Sequence, residues 1–189
     1  MTIQFQDIRT IHAGWAKFLL AAIRLANGQI IRREIEDHGT AVAVLPYDAR
    51  RKKAILVRQF RAPVFLAAKQ QETLEAIAGS VEGPDPRACA RREALEEAGL
   101  KLDALEHLFT GWTMPGVSTE RMHFFLSPYQ EGDRVGPGGG LASEHESITV
   151  VELALGELAD MADAGRLDDV KTLLLVQTLR QRHPDLFAN

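Results

Sequence analysis

Asp85-Pro86 and Gly99 bracket a stretch whose two ends both carry helix-boundary chemistry. Aspartate accepts a hydrogen bond at an N-cap, proline is best tolerated at the first helical position, and glycine takes the left-handed backbone that stops a helix. The spacing predicts a helix from about Pro86 to Ala98. On either side the chain breaks into short apolar runs bounded by turn residues, which predict strands near Ala41–Leu45, Ala54–Phe60, Leu74–Ala78, Leu105–Trp112, His123–Ser127 and Ile148–Leu153. Two further helices are expected over Leu155–Ala164 and Asp168–Gln181. Strands interleaved with a few helices fit an α/β/α sandwich around a mixed sheet, not a regular series of parallel units.

Ahead of that domain, two strand-like runs between Trp15 and Glu36 flank Asn27-Gly28, a dipeptide suited to a tight hairpin turn. The same residues Ala16–Ala26 have good helical propensity. Only the turn and the β-branched run Ile30–Ile35 favour an N-terminal β-hairpin arm. The segment Gly132–Gly140, with five glycines and a proline in nine residues, is expected to be a mobile loop.

Composition removes several classes of function. A net charge of −4 with interspersed signs offers no basic face for phosphate neutralisation, so nucleic acid is not an expected ligand. Cys89 is the only cysteine, which excludes an internal disulfide or a cysteine-based zinc cluster and fits a reducing compartment. Its position in the helical pattern points to ordinary burial. The N-terminal MTIQFQDIRTIHAGW has neither the basic start nor the apolar core of a signal peptide, and no window approaches the roughly 18 apolar residues of a membrane span. A cytoplasmic protein without membrane attachment is expected.

The helix itself carries Glu93, Glu96 and Glu97 at i, i+3 and i+4, on one arc about 100° wide. Three like charges on that arc repel. One reading is a solvated face laced with pairs to Arg91 and Arg92. The other is a row of hard oxygen ligands for a divalent cation, with positions left for phosphate oxygens.

The context of the row is informative. The stretch Gly79–Leu100, GSVEGPDPRACARREALEEAGL, resembles the Nudix box, a glycine, five residues, a glutamate, seven residues, then Arg-Glu-x-x-Glu-Glu-x-Gly. Arg92–Gly99 matches the second half throughout. The first half is one residue short: counting from Gly79 puts Asp85 at the family's first glutamate, and counting back from Arg92 puts Pro84 there. Asp85 is therefore read as a helix cap. Beyond the box, ILVRQFRAPV, TLEAIAG, MPGVSTERMHFFL and GGGLASEHESITVVEL resemble segments of the branch that hydrolyses ADP-ribose and GDP-mannose. The shortened box, the setting of Cys89 and the triple glycine are most similar to its GDP-mannose pyrophosphatase group.

That resemblance implies a Nudix-type sandwich over residues 39–189, preceded by a dimerising β arm over 1–38. It implies magnesium-dependent hydrolysis of the diphosphate of a nucleoside-diphosphate sugar, GDP-mannose first, with manganese as an alternative cation. ADP-ribose is the alternative substrate, and a nucleotide-sugar-binding module with weak catalysis is the alternative class. The implied metal ligands are the Ala78 carbonyl, Glu93, Glu97 and Glu146, with Glu96 supporting the cluster and counted with Glu146 among the catalytic groups. Glu144 competes with Glu146 for the role of base, and His145 receives no role. Arg61, Glu75 and Glu120 are the implied substrate-side groups, and Trp112 and Met114 are candidates for a base or sugar pocket. A homodimer is expected, because a two-stranded arm bearing Trp15, Phe18, Leu20 and Ile31 needs a surface to cover.

Overall fold

In the computed structural model, which describes residues 2–141 and 147–188, Asn27-Gly28 turns the chain between β2 (Lys17–Arg24) and β3 (Ile30–Asp37). Gly28 adopts φ +87°, and the Asn27 side-chain oxygen accepts from the Gln29 amide at 3.0 Å. The helix alternative over Ala16–Ala26 is thereby excluded. The arm is more than a hairpin, however. A further strand, β1 (Gln4–Ala13), pairs antiparallel with β2 to give the order β1-β2-β3. Its alternation is broken between Phe5 and Asp7 and again between Thr10 and His12, so the period-two signal that marks a strand is scrambled.

The chain divides into two compact units, Met1–Ala41 with Thr110–Met122 and Val42–Phe109 with His123–Asn189. In the first, the later segment docks beside β3. The Glu36 amide donates to the Val117 carbonyl at 2.8 Å, and the Thr119 amide donates to the Glu36 carbonyl at 2.9 Å. Ile3, Phe5, Ile8, Ile11, Trp15 and Phe18 of this unit are all exposed.

A seven-stranded sheet has the order β10-β5-β4-β9-β8, with β6 paired to β5 and β7 to β4. These strands are β4 (Thr40–Asp48), β5 (Lys53–Gln59), β6 (Thr73–Glu75), β7 (Ile77–Ser80), β8 (Glu106–Trp112), β9 (Arg121–Pro128) and β10 (Ile148–Ala154). The expected single strand over Leu74–Ala78 is thus two. The break falls at Ala76, whose amide donates to the Thr172 hydroxyl at 2.6 Å. A short helix not anticipated from the sequence, α1 (Ala62–Ala68), follows β5 with Pro63 in its first turn.

Helix α2 (Pro86–Ala98) has the expected bounds. Asp85 caps it by accepting from the Arg87 amide at 2.9 Å, and Gly99 ends it at φ +65°. Helices α3 (Leu155–Asp163) and α4 (Val170–Arg182) follow β10. Strand β4 is buried at every position from Ala41 to Asp48, as a strand covered on both faces must be. Val42, Val44, Ile55 and Val57 form one core with Ala90, Ala94 and Ala98 of α2. The intervening positions point to the opposite face by alternation, where α3 and α4 supply Leu155, Leu158, Leu175 and Leu179. The small alanine stripe lets α2 lie close on the sheet. Enlarging Ala94 to leucine would overpack this seam, at a cost of about 1–3 kcal/mol.

Candidate active site

The burial of the carboxylate row follows from where α2 places it. At about 100° per residue, Glu97 lies nearest the alanine stripe, Glu93 next and Glu96 farthest. Their environments rank accordingly: Glu97 is 2% exposed, Glu93 is 9% exposed, and Glu96 sits at the rim with its side chain 24% exposed. A fully solvated acidic face is therefore excluded, although the pairing expected of Arg92 is present. Its guanidinium bridges Glu93 at 2.6 Å and Glu96 at 2.7 Å. Arg91 turns away to the carbonyls of Leu102 and Asp103.

Glu93 reaches the end of β7. A Cβ built at Gly79 would fall 2.0 Å from Glu93 Oε1 and 2.1 Å from its Cδ, so the carboxylate occupies the space that any side chain at 79 would need. This is the physical reason for glycine there, at a φ that is not positive. Cys89, one turn earlier, is buried and its thiol donates to the Ser80 carbonyl at 3.2 Å. Burial pushes that thiol up, and the neighbouring Glu93 charge adds to it, so the group is neutral and unreactive.

A second cluster stands on the N-cap of α1, β6 and α4. Glu75, 3% exposed, receives the Arg61 guanidinium in a two-pronged contact of 2.9 and 2.8 Å, Lys171 Nζ at 2.6 Å, and the Thr73 hydroxyl. Burial alone would raise the Glu75 carboxyl, but the Arg61 hydrogen bonds and the charges of Lys171 and Arg61 hold it down at about 2. The hydrogen bond to Glu75 holds the Arg61 guanidinium charged against its burial, and the charges of Glu75, Glu97 and Asp169 add to this. Arg58 points to solvent, as its alternation with Gln59 requires. Lys171 and Asp169, joined at 3.0 Å, were not anticipated. A signal existed: a lysine in the first turn of a helix opposes the helix dipole and so asks for a tertiary partner.

The C-terminal end of α2 corrects the reading of Gly132–Gly140 as mobile. Val135 and Gly136 amides donate to the Gly99 carbonyl at 2.8 and 3.2 Å, Gly139 to the Glu97 carbonyl at 2.9 Å, and Gly140 to the Glu96 carbonyl at 3.1 Å. Carbonyls that a helix end leaves without intrahelical partners are satisfied by this strap. Its positive φ values at Gly138, Gly139 and Gly140, +71°, +112° and +78°, explain the glycines.

Glu144, His145 and Glu146 lie outside the described residues. Glu120 belongs to the first unit, where it accepts from the Thr113 hydroxyl at 2.5 Å and faces His38 at 3.7 Å. Trp112 and Met114 are both exposed, not core. Trp112 lines a cleft of about 520 Å³ in that unit, together with Ile23, Arg33, Ile35 and the Pro115–Thr119 turn.

Among the described residues no group of three or more His, Cys, Asp and Glu side chains is arranged as a finished metal cage. The donors that are present, the Ala78 carbonyl with Glu93, Glu96 and Glu97, are all oxygen, which suits magnesium or manganese and not a soft metal. The Gly79 cradle brings Glu93 onto the backbone next to Ala78, and the residues fit a hard cation in kind. Arg92 holds the counter-charge position in this structure.

The model of the NUDIX domain matches residues 37–178. The chain belongs to the Nudix family. Proteins named GDP-mannose pyrophosphatase from Shigella flexneri and Escherichia coli O157:H7 are each 35% identical over 160 residues, 83% of this chain and 83% of theirs. A solved structure described as an ADP compounds hydrolase superposes with a TM-score of 0.77, covering 98% of this chain and 96% of that one at 16% identity. At that identity the likeness establishes the fold, the Nudix α/β architecture with its N-terminal antiparallel strands. Family and relatives together support a pyrophosphohydrolase. Among the described residues, no helix is long and apolar enough to cross a membrane.

Proposed function

We propose that this Nudix hydrolase is a cytoplasmic, homodimeric nucleoside-diphosphate-sugar pyrophosphatase that converts GDP-mannose and water to GMP and mannose 1-phosphate. The observation that carries the reading is the Glu93 carboxylate lodged in the Gly79 cradle, one helical turn from the buried Glu97. Two acids buried on one helix face beside a backbone turn are the hard oxygen donors that a divalent cation takes. The names of the 35%-identical relatives support the substrate.

Ala78, Glu93, Glu97 and Glu146 would hold magnesium, or manganese, with Glu96 supporting them. When bound, the cation neutralises diphosphate oxygens and lowers the pKa of a water held there. The chain's own part is positional. Glu75 fixes the plane of the Arg61 guanidinium, which would donate to phosphate oxygens in the bidentate manner arginine favours. Glu120 is assigned to the substrate side. In the reaction the water oxygen bonds to one phosphorus as the bridging P–O bond breaks, the electron pair stays on the departing phosphate, and Glu146 takes the water's proton.

The test is a substrate panel of GDP-mannose, ADP-ribose, NADH and other sugar nucleotides, with and without magnesium, coupled to a phosphomonoesterase. GDP-mannose is expected to give the highest kcat/KM. A higher value for ADP-ribose would reassign the substrate, and nucleotide-sugar binding without turnover would favour a binding module. Glu146→Gln is expected to impair turnover with milder loss of metal binding. If Glu144→Gln does so instead, the base lies two residues earlier.

A further inference from the structure

The strap that closes the end of α2 does more than satisfy its carbonyls. Gly139 donates its amide to the Glu97 carbonyl at 2.9 Å, and its own carbonyl accepts from the Ile148 amide at 3.3 Å. One residue, Gly139, therefore joins the backbone of a buried acid to the first residue of β10. Gly140 makes the parallel contact to the Glu96 carbonyl at 3.1 Å. The approach is close enough that a Cβ at Gly138 would fall 2.4 Å from the Glu97 carbonyl oxygen and 2.7 Å from the Ala98 backbone. Backbone cannot yield as the tip of a flexible side chain can, so a side chain at 138 must displace the strap or the last turn of α2. By contrast, a Cβ at Gly136 would meet only the Gly99 Cα, at 3.9 Å, from a φ that is not positive.

We propose that the Gly138–Gly140 part of the strap is a positioning element for the carboxylate row: by clamping the backbone of Glu96 and Glu97 it sets the affinity of the site for its divalent cation. The inference rests on the reading of Glu93 and Glu97 as cation ligands. It treats Gly138 as a positioning residue that acts through Glu97. Linkage makes the effect reciprocal, since a strap that strengthens cation binding must itself be strengthened when the cation binds, by the same factor.

The test uses the full chain and metal alone. Manganese affinity is titrated for wild type, Gly138→Ala, Gly136→Ala and Glu97→Gln, with thermal unfolding of each apo protein alongside. Gly138→Ala is expected to weaken manganese on the order of tenfold, with Gly136→Ala at the wild-type value. Hydrogen exchange of the Gly139 and Gly140 amides in wild type is followed with and without magnesium, which keeps the test open even if Gly138→Ala fails to fold. Both amides are expected to exchange several-fold more slowly with magnesium, and the Gly28 amide at an unchanged rate. Weakening in Glu97→Gln but not in Gly138→Ala, or exchange indifferent to magnesium, overturns the role of the strap alone. Unchanged manganese affinity in Glu97→Gln overturns the site beneath it.

Discussion

Replacing Gly79 with alanine tests the geometry of the carboxylate row without touching a carboxylate. The new methyl would stand 2.0 Å from Glu93 Oε1, where ordinary contact begins at 3.4 Å, so the carboxylate must retreat by about 1.4 Å. A misplacement of about 1 Å in a catalytic constellation can cost on the order of 10²-fold, and that is the expected loss in kcat/KM. The stability cost is expected to be small, because what must move is the end of a flexible side chain. The Arg92–Glu93 ion pair that it disturbs is well exposed on the arginine side. Such a pair contributes about 0–1 kcal/mol, which in a chain of this size is a melting shift of a few degrees at most. Steady-state kinetics and thermal unfolding on the same preparation decide the matter. Wild-type turnover in a folded Gly79→Ala variant would refute the cradle, and a collapse of stability equal to the loss of activity would show that Gly79 serves only the fold.

Three other outcomes are expected. Glu97→Gln should keep the fold and lose turnover by roughly 10²–10³-fold at saturating magnesium, since it removes charge from a buried ligand and preserves shape; near-normal turnover would sink the assignment. Glu75 is held at about 2 against an ordinary 4.5. A depressed carboxyl stabilises the fold above its unfolded value and loses that contribution as pH falls through the folded one. About 3 kcal/mol should therefore disappear between pH 4.5 and 2 in wild type, and Glu75→Gln should flatten that dependence in acid unfolding. An equally steep curve in the variant would place the acid sensitivity elsewhere. Sedimentation of the intact chain should give a dimer and a chain lacking residues 1–38 a monomer with weaker substrate binding; an intact monomer at micromolar concentration would contradict the arm's role.

What could be read from residues alone was what local chemistry decides. Asp85-Pro86 and Gly99 marked both ends of α2, and Asn27-Gly28 marked the turn of the arm, because caps and tight turns depend on their own few residues. The acids were visible at helical spacing, but their graded burial depends on the alanine stripe packed against the sheet. Strand β1 was hidden by two register shifts, and α1 by its brevity and Pro63. The strap was misread because glycine content signals freedom only where nothing occupies the space a Cβ would take, and at Gly138 the Glu97 carbonyl occupies it. Lys171 meets Glu75 across almost a hundred residues, a partnership that only the fold creates.

The chemistry proposed for this chain is cleavage of a P–O–P bridge by water. Turnover of GDP-mannose in oxygen-18-labelled water, with products resolved by phosphorus NMR, tests it most directly. The expected result is GMP and mannose 1-phosphate in equal amounts, one of them carrying a single labelled oxygen on phosphorus. Release of GDP with free mannose, or label on the sugar carbon, would place the cut at the glycosidic bond and contradict the account.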